Sequence, residues 1–178
     1  NHSKKMDPQL FIIGNPLLDI SVELADNTVL DKYELQHGQA SLAGDKQMPI
    51  YDELWGMENK EAIPGGSALN SARAANYMLA AQGQKNKVTY FGSIGKDEKG
   101  KVLENVLEEA GVHGNFHHDE ATPTGTCAVV VVNKERTLCA NLAAACKYSS
   151  AHLESNMDTL KNAKFIYTTS FFITSNVE

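Results

Sequence analysis

The run Pro64-Gly65-Gly66-Ser67-Ala68-Leu69-Asn70-Ser71 carries residue types suited to gripping an oxygen-rich ligand. Adjacent glycines accept backbone angles that a Cβ forbids and let a ligand approach the main chain closely. They stand directly before a helix-forming stretch, Ser67–Ala81. Ser67 is a good N-cap, and Pro64 with the two glycines blocks an earlier start. The free N–H groups and positive dipole end of that helix then face whatever the glycines approach. Asp19, in Asn15-Pro16-Leu17-Leu18-Asp19, adds a carboxylate just past a run that reads as a core strand. Open α/β sheets bind ligands at such a strand end. Taken alone, the glycines read equally well as a capped strand-to-helix turn, and Asp19 as a turn former.

Other chemistry-bearing stretches read less specifically. Gly95-Lys96-Asp97-Glu98-Lys99-Gly100-Lys101-Val102 approaches the phosphate-loop pattern but has Val102 where a hydroxyl should meet magnesium. Asp97 and Glu98 would also repel a triphosphate, so a turn into a helix with a stripe of Val102, Leu103, Val106, Leu107 and Ala110 is expected. His113, His117, His118 and Asp119 resemble metal ligands in type but read as solvated groups on an edge strand, and no metal ligand set is expected. Arg136, beside Glu135, reads as a surface residue.

The elements that must position these groups follow from hydrophobic pattern. Residues 10–14 form a continuous apolar run, as in a strand covered on both faces, and residues 18–24 alternate like a half-exposed strand. Residues 28–35 predict a short helix, 39–43 a brief strand after a turn at Gly38, 51–57 the end of a helix, and 87–92 a second core strand. Strand, helix and strand thus succeed one another as in a βαβ crossover. Residues 112–118 predict a strand, and 124–132 with 136–142 a hairpin turned by the three residues Asn133-Lys134-Glu135. A helix over 152–163, with Leu153, Met157 and Leu160 inward, and a sheet strand over 164–169 complete the pattern. A helix is expected to follow that last strand, which makes Glu178 an odd place for a domain to end.

Composition bounds the partners. A net charge of −6, from 16 Lys and Arg against 22 Asp and Glu, does not favour nucleic-acid or membrane-surface binding. Cys127, Cys139 and Cys146 form no C-x-x-C pair and read as reduced thiols in a cytoplasmic protein, a nuclear location being left open. No signal-peptide pattern or membrane-length apolar run is present, and residues 1–5 read as a polar tail.

The Asn15-to-Asp19 piece, the Gly65-to-Asn70 turn, the Gly95-to-Gly100 turn, and the strands Thr124-Gly125-Thr126-Cys127 and Ala140-Asn141-Leu142-Ala143-Ala144-Ala145 together resemble the amino-terminal half of the ribokinase-like (PfkB) carbohydrate kinases. The resemblance covers residues 10–173 and points to the adenosine-phosphorylating branch. It implies an α/β fold, a doubly wound, mainly parallel sheet over residues 6–178, with a small β lid built from segments near 18–24, 37–44, 60–65 and 124–142. It implies transfer of the ATP γ-phosphate to the 5′-hydroxyl of adenosine with Mg2+, in purine salvage, by a protein that is a monomer when complete. Asp19 would accept both ribose hydroxyls, with Asn15, Gly65, Gly66, Ser67 and Asn70 completing the grip. Leu17, Gln39, Ala40, Cys127, Leu138, Ala140, Leu142 and Phe171 would wall the nucleoside, and Arg136 would stabilise the transferred phosphate. The sequence departs from the family at Leu69 and at Ala40-Ser41, and it contains no G-A-G-D turn, which in the family supplies the catalytic Asp and part of the ATP site. The chain alone is therefore expected to be inactive. Another sugar or nucleoside kinase of the family, or a non-catalytic nucleoside-binding module, stands as the alternative.

Overall fold

The computed structural model describes residues 9–176; the polar tail expected over residues 1–5 lies outside them. In chain order the elements are β1 (Leu10–Ile13), β2 (Leu17–Leu24), α1 (Thr28–Lys32), β3 (Ala40–Leu42), α2 (Ile50–Trp55), β4 (Glu61–Gly65), α3 (Ser67–Ala81), β5 (Val88–Gly95), α4 (Glu98–Glu109), β6 (His113–Asp119), β7 (Thr126–Val132), β8 (Glu135–Asn141), a 3-10 turn (Ala143–Cys146), α5 (Ser150–Ser155), α6 (Met157–Asn162), β9 (Phe165–Thr168) and α7 (Ser170–Ser175).

Two sheets result. The first has the order β6-β5-β1-β9 and is parallel throughout. Alternation along β1 sends Ile12 to one side, with Ala68, Leu69, Ala72, Tyr90, Leu103 and Leu107, and Phe11 and Ile13 to the other, with Phe91, Leu153, Leu160 and Phe172. Helices α3 and α4 cover the first side and α5, α6 and α7 the second, which is the layering expected of a doubly wound α/β fold. Gly14 ends β1 because α3 passes too close for a side chain: a Cβ there would lie 2.3 Å from that of Ala68. The second sheet has the order β3-β8-β7-β2-β4, with β2 parallel to β7 and antiparallel to β4. Its inner face buries Ile20, Val22, Ala128, Val130, Val132 and Cys139 against α1 and α2.

The local structure departs from the expected one at specific residues. Ser67 is not the cap of α3: Gly66 holds the cap position at φ 95°, and Ser67 is the first helical residue. The β7–β8 turn has two residues rather than three, Asn133 at φ 51° and Lys134 at φ 68°, the double left-handed pair of a tight hairpin. The helix expected over 152–163 is two helices broken at Asn156, whose side chain donates to the His152 carbonyl (2.8 Å) and accepts from Asn115 Nδ2 on β6 (2.7 Å). Such side-chain bonds compete with the helical ladder.

The near-phosphate-loop is a helix cap. Asp97 accepts from the Gly100 N–H (2.8 Å), the Thr124 N–H (2.8 Å) and the Thr124 hydroxyl (2.7 Å). Its carboxylate is spent on tying α4 to the start of β7.

Candidate functional site

Asp19 is the centre of the arrangement. As the third residue of β2 it lies opposite Ile63 on β4 and Cys127 on β7, and Cys127 lies opposite Ala140 on β8. Side chains alternate along strands, so Asp19 shares one sheet face with Cys127, Leu138, Ala140, Ala40 and Leu42, the face turned away from the α1–α2 core. Leu42 is 58% exposed and Ile63 42%, and Leu138 and Ala140 are half-buried. The face is therefore an apolar surface carrying one half-buried carboxylate. Burial pushes the Asp19 carboxyl up to about 6, and the Arg136 charge acts in the opposite direction.

The glycine pair fits against this carboxylate. A Cβ on Gly65 would lie 2.2 Å from Asp19 Oδ1 and 2.6 Å from Oδ2. One on Gly66 would lie 2.4 Å from the Asn15 carbonyl oxygen. The two glycines thus serve different neighbours: Gly65 makes room for the Asp19 side chain and Gly66 for the backbone that precedes β2. From Gly66 the chain enters α3, where the Asn70 N–H closes the first turn on the Gly66 carbonyl (3.0 Å). Ser67 and Asn70 are exposed on that opening turn.

Asn15 is buried, 6% exposed. Its Nδ2 donates to the Ala145 carbonyl (2.9 Å) and to Ser175 Oγ (3.0 Å), while its buried Oδ1 has no partner among the described residues. An unpaired buried acceptor costs on the order of 1–3 kcal/mol, so this oxygen favours an incoming donor. Ala145 and Ser175 were not legible as Asn15 partners; the one signal was a polar residue closing the apolar run Phe171-Phe172-Ile173.

The remaining expected site residues are placed unevenly. Leu17 and Leu142 meet at Gly125, where a Cβ would lie 2.7 Å from Leu17 Cδ2 and 2.6 Å from the Leu142 carbonyl oxygen. Cys127 is buried, and burial first, then the Asp19 charge, push its thiol up to about 12, which leaves it protonated and inert. Arg136 is exposed at the start of β8, and both Asp19 and Cys127 feel its charge. Gln39 is exposed and lies just before β3, its carbonyl accepting from the Leu138 N–H (2.9 Å). Phe171, 44% exposed, lies on α7 with Ser175, whose Oγ accepts from Asn15. A cleft of about 550 Å³, lined by Asp119, Lys147, Tyr148 and Asn176 among others, shares only Ser175 with this arrangement.

Metal and phosphate ligands are a separate matter. His117 Nδ1 pairs with Ser93 Oγ (3.1 Å), His118 with Glu104 (2.9 Å), and Asp119 accepts from the Ala121 and Thr122 N–H groups (3.0 and 2.7 Å). Among the described residues no group of three or more His, Cys, Asp or Glu could hold a metal ion. No helix among them is long and apolar enough to cross a membrane.

The pfkB family carbohydrate kinase model matches residues 42–178. Adenosine kinase 1 of Arabidopsis thaliana is 43% identical over 178 residues, covering 99% of this chain and 51% of that protein. Adenosine kinase of Dictyostelium discoideum is 39% identical over 168 residues, 93% of this chain and 48% of that protein. The chain thus spans about half the length of the curated relatives it matches. Among solved structures, Anopheles gambiae adenosine kinase in complex with P1,P4-di(adenosine-5) tetraphosphate matches with a TM-score of 0.87 at 41% identity, covering 95% of this chain and 50% of that one. Schistosoma mansoni adenosine kinase in complex with adenosine matches at 0.84 and 34%, covering 94% and 48%. A probable sugar kinase of Rhizobium etli, at 22% identity and a TM-score of 0.77 over 96% of this chain and 49% of that one, shares the fold.

Proposed function

Because the chain belongs to the pfkB family of carbohydrate kinases, we propose that it is the nucleoside-binding half of an adenosine kinase, which phosphorylates the 5′-hydroxyl of adenosine from ATP to give AMP. The observation that carries this reading is the half-buried Asp19 carboxylate held against Gly65, beside the diglycine start of α3 and the unpaired Asn15 Oδ1. A carboxylate accepts two adjacent hydroxyls in charge-assisted bonds, which are about twice as strong as neutral ones. A ribose 2′,3′-diol presents that donor pair. Asn15 Oδ1 and the exposed Ser67–Asn70 turn complete the grip, and the apolar face carrying Leu138, Ala140 and Leu42 covers the base as a lid. Gly65 and Gly66 join this lid to the parallel sheet.

ATP and Mg2+ are the expected co-substrate and ion. Asp97 is engaged as a helix cap, and among the described residues no group of three or more His, Cys, Asp or Glu could hold a metal ion. Both are assigned to the remaining half of the protein, together with the base for the 5′-hydroxyl. Arg136 is assigned to the transferred phosphate. Isolated residues 1–178 are then expected to turn over no adenosine.

The experiment is calorimetry and AMP formation on the full-length protein with adenosine, ribose and fructose. Tight adenosine binding with ATP-dependent AMP formation supports the reading; sugar binding with no response to adenosine rejects it in favour of a sugar kinase. Adenosine binding without turnover leaves a nucleoside-binding module.

A further inference from the structure

The hydrogen bonds around Asn15 decide which end of its amide is left for a ligand. An amide nitrogen carries two hydrogens and an amide oxygen none, so the partners on each side assign the two ends. Both hydrogens of Asn15 Nδ2 have acceptors: the Ala145 carbonyl at 2.9 Å, in the 3-10 turn after β8, and Ser175 Oγ at 3.0 Å, on the last residue of α7. A carbonyl only accepts, so Ala145 admits the nitrogen and rejects the oxygen. Ser175 makes the same demand because its own proton is committed elsewhere. Among the described residues its Oγ meets Asn15 Nδ2, Asn176 Nδ2 at 3.2 Å and the Phe172 carbonyl at 3.3 Å, and of these only the carbonyl takes a proton. Asn176 is oriented in turn, since its Oδ1 accepts from the Tyr148 N–H at 3.2 Å and its nitrogen is thereby turned to Ser175. A flipped Asn15 would set its oxygen against two acceptors and lose both bonds, a heavy penalty in a residue only 6% exposed. What the network leaves over is Oδ1, buried and without a partner among the described residues.

We propose that Ser175 is a positioning residue for the nucleoside: together with the Ala145 carbonyl it locks the Asn15 amide with its oxygen free, so that Asn15 accepts a sugar hydroxyl and does not donate to one. This rests on the nucleoside reading above, in which Asn15 belongs to the grip. Ser175 acts on the sugar through Asn15, and α7 is thereby joined to the β1–β2 link that carries the grip. The lock makes the position selective. A nucleoside that lacks the hydroxyl, or offers an acceptor such as a methoxy oxygen in its place, leaves Oδ1 buried and unpaired.

The test is calorimetry on the full-length protein with adenosine and its 2′-, 3′- and 5′-deoxy analogues, in wild type and in Ser175→Ala. Wild type that binds none of the four refutes the nucleoside reading itself. With adenosine bound by the wild type, Ser175→Ala is expected to weaken adenosine by ~2–10-fold, the span of one neutral hydrogen bond. The same loss is expected for two of the analogues and none for the third, the one without the hydroxyl that Asn15 accepts. A loss equal for all four ligands marks a merely structural role and overturns the inference, as does no loss for any. Ser175→Thr keeps the hydroxyl and should keep the wild-type pattern; a pattern like that of alanine counts against the lock. A measurement on the wild type needs no variant. By NMR the two hydrogens of the Asn15 side-chain amide should exchange slowly with water before and after adenosine is added, because both are bonded within the protein; fast exchange of both in the unliganded protein overturns the proposal while leaving the nucleoside reading standing.

Discussion

Gly65→Ala separates binding from folding. Its backbone does not occupy the left-handed region, so alanine is conformationally acceptable there, and the constraint is purely the space taken by Asp19. The added Cβ would lie 2.2 Å from Asp19 Oδ1, 2.5 Å from Cγ and 2.6 Å from Oδ2, so the carboxylate must leave its position. Asp19 is half-buried and can rotate toward solvent. Folding then loses little: relief of chain entropy, about 0.4–1 kcal/mol in favour of alanine, offsets part of the steric cost. Binding loses the charged acceptor. Hydrogen bonds to a charged group contribute about 1.5–3 kcal/mol, a factor of roughly 10–150 in Kd. Calorimetry with adenosine and a thermal melt, both on the full-length protein, give the two numbers. The expected result is a Kd weakened by that factor with a Tm within about 4 °C of wild type. A normal Kd with a fallen Tm would show that Gly65 and Asp19 merely pack together, and would remove the physical basis of the grip.

Gly66→Ala should do the reverse and act first on stability: φ 95° disfavours alanine, and the Cβ would lie 2.4 Å from the Asn15 carbonyl oxygen. A loss of at least ~2 kcal/mol in urea unfolding is expected, left-handed strain alone being about 1–2 kcal/mol. Asp97→Ala removes the α4 cap and should cost about 1–2 kcal/mol at neutral pH. Burial alone would raise the Asp97 carboxyl, but the Thr124 and Gly100 donors and the Lys99 charge bring it below its ordinary value. Its contribution is thus present above the unfolded carboxyl's range and lost as pH falls through the lower folded one, so wild-type and variant Tm should converge in acid; a constant gap would refute the assignment. Lys99→Gln should change the emission of Trp55, the sole tryptophan of these 178 residues, because Lys99 and Lys60 each stand 5.4 Å from its ring. A cost of about 0.5–1 kcal/mol is expected, and an unchanged spectrum would show that the contact is absent in solution.

What was legible in the sequence was whatever a short window can specify. The apolar run of β1, the alternation of β2, the extent of α3 and the turn that leads into α4 each follow from neighbours in the chain. What was not legible depended on partners far away. Ser67 fails as a cap because Gly66 takes the cap position at φ 95°, where the Asn15 carbonyl oxygen leaves no space for a Cβ. The break at Asn156 depends on Asn115, on a strand 41 residues earlier. The hairpin length turned on Asn133 and Lys134 both entering the left-handed region, a pair for which Lys134 gives no local signal. Asn15 was singled out only through the family resemblance, and its partners Ala145 and Ser175 lie 130 and 160 residues away.

These long-range contacts also fix where the two sheets can move. Asn15 joins them: its backbone is closed in by Gly66, its side chain binds Ala145 and Ser175, and a Cβ on Gly92 of β5 would meet the Gly14 carbonyl oxygen and Pro16 Cδ, each at 2.8 Å. With no space for a methyl group at Gly14, Gly66 or Gly92, the β1–β2 link is held on every side. The far edge of the second sheet is different. β3 is exposed along its length, and α2 meets α4 through the Trp55 ring and the Lys99 ammonium, an attraction of about 1 kcal/mol or less at an exposed site. On the proposed nucleoside reading, Asp19, Gly65 and Asn15 next to the β1–β2 link are then the firmly held part of the site, and Ala40 and Leu42 on the exposed β3 edge the loosely held part.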